Sequence, residues 1–309
     1  MREPKRLLAL AIAAATLIPT SARAEDNYPG YGYGPTGADH IGQKEYSPYL
    51  QIGYPRNVYW GDTHLHTSFS TDAGMIGNQL GPEEASRFAR GETVVSSTGV
   101  RARLQRPLDF LVIADHAENL GLAPMIAEKN ADLLRLDFGK KIAGLVYDGK
   151  YGDAYTLWGE GMSSRKDPLQ GQEALTRSMW RRLTGAAEAF NEPGQFTALI
   201  GYEWTSSPGG NNLHRNVIFR DGKDEADQII PFSNYDSTDP EDLWAWMAAY
   251  EEKTGGQVLA IPHNGNLSNG LMFDDETFSG KELDRDYAEQ RMRWEPVYEV
   301  TQMKGDGEA

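Results

Sequence analysis

The chain has six histidines and no cysteine, and five of the histidines stand at or beside the ends of apolar runs. His64 and His66 close the stretch Trp60-Gly-Asp-Thr-His-Leu-His66. Residues two apart in a strand project from one face, so these two imidazoles can share one metal ion. Asp62 lies on the same face and can orient a ligand. His116 follows Asp115 at the end of Leu108–Ala114, His214 opens a short run to Phe219, and His263 closes Gln257–Pro262. Glu203 comes at the end of Thr197-Ala-Leu-Ile-Gly-Tyr-Glu203, where a carboxylate is costly unless a cation or donors receive it. Asp115 reads equally well as a cap on a following helix. Glu299 sits inside the run Pro296–Thr301, so the roles of Asp62, Asp115 and Glu299 stay open. A single histidine in such a place is usually a satisfied core residue, but five in equivalent places point to metal ligation. Histidine and carboxylate ligands without sulfur suit zinc, manganese or iron.

The elements that must position these groups alternate. Strand-like runs cover Val58–His66, Leu108–Ala114, Phe196–Trp204, His214–Phe219, Gln257–Pro262 and Pro296–Thr301. Helical stretches cover Gly81–Arg90, Asn119–Leu136, Glu173–Phe190, Pro240–Lys253 and Lys281–Trp294. Asp239-Pro240-Glu241 sets an N-cap before a first-turn proline, and Glu83 and Glu84 lie where a helix dipole favours acids. Alternating strands and helices predict an α/β fold with a mostly parallel sheet or barrel, its sites at the strand ends. Residues 144–172 read as an insertion between units.

Composition narrows the function. The 309 residues carry a formal net charge of −15, which argues against phosphate-backbone binding as the main task, so no nucleic acid is expected as a partner. The lack of cysteine excludes a disulfide scaffold, an iron–sulfur cluster and a thiol nucleophile. No Gly-x-Ser-x-Gly elbow supports a serine hydrolase. Arg2, Lys5 and Arg6, then the apolar stretch Leu7–Pro19 and Ala22-Arg23-Ala24, have the form of a secretory signal over residues 1–24, cleaved near Ala24. The apolar stretch is too short for a membrane anchor. The expected location is therefore periplasmic or secreted. Residues 25–57, rich in Gly, Pro and Tyr, read as an extended leader, and His40 falls within it.

The motif order is His-x-His, Asp-His after a strand, Gly-x-Glu, His, then Pro-His. It resembles the PHP (polymerase and histidinol phosphatase) superfamily of metal-dependent hydrolases. The phrases Tyr-Trp-Gly-Asp-Thr-His-Leu-His-Thr-Ser, Ala-Asp-His-Ala-Glu, Gly-Tyr-Glu-Trp-Thr and Val-Thr-Gln-Met-Lys-Gly-Asp look like its DUF3604 branch. The resemblance covers residues 58–309 and implies a distorted (β/α)7 PHP-like barrel with two or three divalent ions (Zn, Mn or Fe). Carried over by position, His64 and His66 would hold one ion, Glu203 would bridge two, and His116, His214 and His263 would complete the other sites. Asp72 matches a position of a further acid or histidine. The family's last Asp-x-His has no counterpart after His263, so the barrel is expected to be incomplete at the C-terminus.

The chemistry expected is hydrolysis of a small-molecule ester, foremost a phosphate mono- or diester, by a metal-activated water. Asp72, Glu203 and Arg215 are the candidate catalytic residues, with Arg215 or Lys304 able to receive a substrate oxyanion. The same ligands would also serve a sulfatase or an amidohydrolase-type C–N hydrolase. A chain lacking the last ligand pair could instead be a non-catalytic binder of metal or of a partner.

Overall fold

A computed structural model describes residues 57–307; the signal-like segment, the leader up to residue 56 and His40 lie outside them. The strands are β1 (Gly61–Leu65), β2 (Val94–Val95), β3 (Arg101–Ala102), β4 (Phe110–Ile113), β5 (Thr197–Trp204), β6 (Arg215–Phe219), β7 (Val258–Pro262), β8 (Thr301–Gln302) and β9 (Gly305–Asp306). The α-helices are α1 (Thr71–Met75), α2 (Pro82–Ala89), α3 (Leu122–Ala127), α4 (Asp137–Tyr147), α5 (Tyr151–Ser164), α6 (Glu173–Phe190), α7 (Lys223–Ala226), α8 (Pro240–Thr254) and α9 (Arg285–Trp294). Local signals explain several ends. The Asp239 carboxylate accepts from the Glu241 N–H at 2.9 Å with Pro240 behind it, and Gly255, at φ 74°, closes α8. At α2 the Glu84 carboxylate accepts from the Gly81 N–H at 3.1 Å.

Five strands form one sheet in the order β1-β4-β5-β6-β7, and β2–β3 and β8–β9 are separate two-stranded ladders. β1, β4 and β5 run parallel, whereas β6 is antiparallel to both β5 and β7. The sheet is therefore mixed rather than mostly parallel. The connection from β5 to β6 spans only residues 205–214 and holds no α-helix, too little for a parallel crossover. The expected strand over Pro296–Thr301 is also absent. Only Thr301 and Gln302 pair, and the Glu299 N–H donates to the Pro262 carbonyl at 3.1 Å.

The sheet is curled into a half-barrel. Its edge strands β1 and β7 are four strand spacings apart, roughly 19 Å if the sheet were flat. Yet the rings of His64, within β1, and His263, just after β7, lie 4.0 Å apart, and Asn216 of β6 donates to the Thr63 carbonyl of β1 at 3.0 Å. Alternation along the strands divides the core. Ile200, Tyr202, Trp204, Val217 and Phe219 join the large cluster beneath the helices, while Val112, Ile218 and Ile261 form a small cluster on the inner face. The inner face is narrow enough that a Cβ on Gly201 would meet the Val112 side chain at 2.5 Å. Residues 144–172 contribute the end of α4 and all of α5.

Candidate metal centre

The strand directions bring every motif to one end of the sheet. β1, β4, β5 and β7 all end there, and β6, being antiparallel, begins there, so residues at or just past the ends of four strands and just before the fifth converge. Glu203, fully buried on β5, is the hub. Its Oε1 lies 2.7 Å from His214 Nδ1 and 2.9 Å from His263 Nε2. Its Oε2 lies 2.8 Å from His66 Nε2, 3.3 Å from His64 Nε2 and 3.7 Å from His116 Nδ1. Two further carboxylates flank it. Asp72 Oδ2 is 3.3 Å from His116 Nε2, and Glu299 Oε2 is 2.7 Å from His64 Nδ1. Four groupings of ligand atoms are tight enough to hold an ion: His64–His263–Glu299, His64–His66–Glu203, His66–Asp72–His116 and Glu203–His214–His263.

The geometry fits a cation better than a set of hydrogen bonds. A carboxylate has about four acceptor positions, and five imidazoles crowd this one. His66 Nε2 and Glu203 Oε2 form a buried ion pair at 2.8 Å, and the same oxygen also faces His64 and His116. The residues present therefore suit divalent ions with nitrogen and oxygen ligands.

The electrostatics agree. Burial opposes charge on His64, but hydrogen bonds to Glu203 and Glu299 outweigh it and raise the ring to about 9. Burial likewise opposes charge on His66, and Asp72 and Glu203 raise it to about 10. Burial disfavours the charged form of Glu203 too, but His116, His263 and His214 hold it well below the usual carboxylate range. His214 and His263 go the other way. Burial leads, and it lowers His263 to about 4. With protons as its only cations, the cluster draws positive charge to the His64–His66 side and keeps the other side neutral.

The structure brings His64, His66, His116, Glu203, His214, His263 and Asp72 together. Arg215 is not among them. Its guanidinium is buried against Glu295, with Nε 3.0 Å from Oε1, and Trp244 Nε1 donates to the same oxygen at 2.8 Å. Side chains alternate along β6, so Arg215 turns to the helix-covered face while Asn216 faces inward. Asp62 accepts from the backbone N–H of His64 at 2.7 Å rather than from a ring. Asp115 is fully buried and accepts from Thr67 N at 2.5 Å and Thr67 Oγ1 at 2.6 Å, anchoring the loop that carries Ser70 and Asp72. Burial raises it to about 6 despite these bonds.

Sequence reasoning missed the hydroxyls that meet the rings of His66, His116 and His214. Ser70 Oγ lies 2.9 Å from His66 Nδ1, Thr205 Oγ1 meets His116 Nδ1, and Ser207 Oγ lies 3.1 Å from His214 Nε2. The available signal was the density of Ser and Thr directly after His66 and after Trp204. Such partners fix ring orientation and tautomer in histidine metal sites.

Fold and site together define a mixed α/β protein whose strand ends carry a buried histidine–carboxylate cluster able to hold a metal ion. The chain belongs to the family described as "Protein of unknown function (DUF3604)", which it matches over residues 53–309. No curated protein and no solved structure matches it. Among the described residues, no helix is long and apolar enough to cross a membrane.

Proposed function

We propose that this chain is a metal-dependent hydrolase of the PHP superfamily acting on a small-molecule phosphate ester. The carrying observation is the fully buried Glu203 with five imidazole nitrogens within 3.7 Å. Two or three ions of zinc, manganese or iron would be held by His64, His66, His116, Glu203, His214 and His263, with Asp72 and Glu299 at the margins. Bound there, they would supply Lewis acidity that activates water and offsets charge developing on the ester.

The protein's own groups would do the rest. Glu203, held ionised, bridges the two halves of the cluster. Asp72 stays ionised as well: burial opposes its charge, but His116 and His66 outweigh that. At 35% exposure it is the most open of the cluster's carboxylates and so faces incoming substrate. Arg215 is committed to Glu295, which leaves Lys304, an exposed cation whose charge acts on His214, to receive a substrate oxyanion. Export through the signal-like N-terminus completes the proposal and is checked by sequencing the N-terminus of the mature protein.

The activity test is a panel of aryl phosphate, aryl phosphodiester, aryl sulfate and amide substrates, with protein loaded with manganese, zinc or iron(II). Turnover of a phosphate ester is expected. Cleavage of only the sulfate or only the amide would reassign the reaction, and no turnover of any of them would leave a metal-binding protein without hydrolase activity.

A further inference from the structure

We infer that Ser70 is a positioning residue that keeps a ring hydrogen of His66 on Nδ1 and so makes Nε2, beside Glu203, the nitrogen that binds an ion. The inference rests on the metal-binding reading above and adds to it a residue that builds the site before an ion arrives.

Ser70 is fully buried in the loop between β1 and α1. Its Oγ has three polar neighbours: Asp72 Oδ1 at 2.6 Å, His66 Nδ1 at 2.9 Å and the backbone nitrogen of His116 at 3.2 Å. A hydroxyl offers one proton and two lone pairs. The carboxylate can only accept, so the Ser70 proton goes to Asp72. The His116 N–H can only donate, so it takes one lone pair. The remaining lone pair faces His66 Nδ1, which must therefore carry the hydrogen. Asp72 Oδ1, 3.4 Å from the same nitrogen, is a second acceptor and selects the same tautomer.

The consequence falls on the opposite side of the ring. Hydrogen held on Nδ1 makes Nε2, 2.8 Å from Glu203 Oε2, the nitrogen that gives up its hydrogen to an incoming ion. Once that hydrogen has left, two acceptors face each other in the core, an arrangement that a cation relieves. Without the hydroxyl, Nδ1 keeps only the more distant Asp72 Oδ1 at 3.4 Å, and the ring is held less firmly with Nε2 toward the ion.

The test uses the whole protein with zinc, which is diamagnetic. Long-range ¹H–¹⁵N spectra of the histidine rings should show hydrogen on His66 Nδ1 in the zinc-loaded protein. Ser70→Ala should lower zinc affinity about 10- to 100-fold, measured by competition with a chelator. Hydrogen on Nε2 in the zinc-loaded wild type, or unchanged zinc affinity in Ser70→Ala, overturns the inference while leaving the metal site standing. A wild type that binds neither zinc, manganese nor iron overturns both. If Ser70→Ala does not fold, the wild-type spectrum alone decides.

Discussion

Replacing Glu203 with glutamine tests the centre most directly, because the change keeps the shape and removes the charge. In the wild type, adding metal to chelator-treated protein should raise the melting temperature. An ion present at 100 times its Kd stabilises the fold by about 2.7 kcal/mol. For a domain of roughly this size, each kcal/mol moves Tm by about 2–4 °C. The expected rise is therefore about 5–11 °C for one ion, and more if two are retained. Glu203→Gln leaves one oxygen where two now serve five imidazoles, and its amide NH₂ points donors at rings that need an acceptor. Two of the four possible groupings lose a ligand outright. Removing one partner of a buried charged set costs on the order of 3–5 kcal/mol, so the metal-free variant should also melt lower. The assay is differential scanning fluorimetry with and without zinc, manganese and iron(II), paired with metal content by elemental mass spectrometry. The reasoning is refuted if the wild type shows no metal-dependent shift, or if Glu203→Gln keeps the full shift and the full metal content.

Three more outcomes are expected. The metal-free protein should lose stability as pH rises from about 6.5 to about 10: His64 and His66 are raised to about 9 and 10, so the folded state binds more protons than the unfolded state across that window. Below pH 6.5 the lowered His263 takes over, and stability should fall toward pH 4. Metal must displace the His64 and His66 protons, so the stabilisation it adds should grow with pH over the upper window; a flat difference between loaded and metal-free Tm would contradict this. Arg215→Met should destabilise by about 1–3 kcal/mol in urea, because it takes one of two arginines from the buried Glu295 and leaves Arg291 at 3.3 Å, yet metal content should be unchanged; lost metal would mean Arg215 serves the centre after all. Asp115→Ala should free Thr67 at a cost of about 1–3 kcal/mol and weaken metal retention by displacing Ser70 and Asp72, which elemental analysis of the folded variant would show.

The difference between Arg215 and Glu299 shows what was legible in the chain and what was not. Both flank motif residues, and both are charged groups in or beside apolar runs. Nothing in local sequence says that Arg215 turns to the helix side of β6 to meet Glu295, eighty positions away. Nothing says that Glu299 reaches His64 across 235 positions. The run around Glu299 reads as a strand by composition, but it docks through a backbone bond to Pro262 and never pairs as one. The antiparallel entry of β6 was hidden for a similar reason, since strand direction depends on connection geometry that the alternating pattern does not specify.

What the amino-acid sequence determined by itself is the set of histidines and the acid that could do chemistry. Spacing of two within a strand, and apolar runs that stop at His116, Glu203 and His263, are local facts with local causes, and they hold wherever those strands are placed. The tertiary structure decided which of these groups share a point. Curling of the sheet brings His64 of one edge to within 4.0 Å of His263 of the other. The parallel and antiparallel senses of the strands put five motifs at one end. Hydroxyls brought up by loop packing hold the rings of His66, His116 and His214 in place. Ligand type is a property of residues, whereas a binding site is a set of distances between elements far apart in sequence, and only their packing sets those.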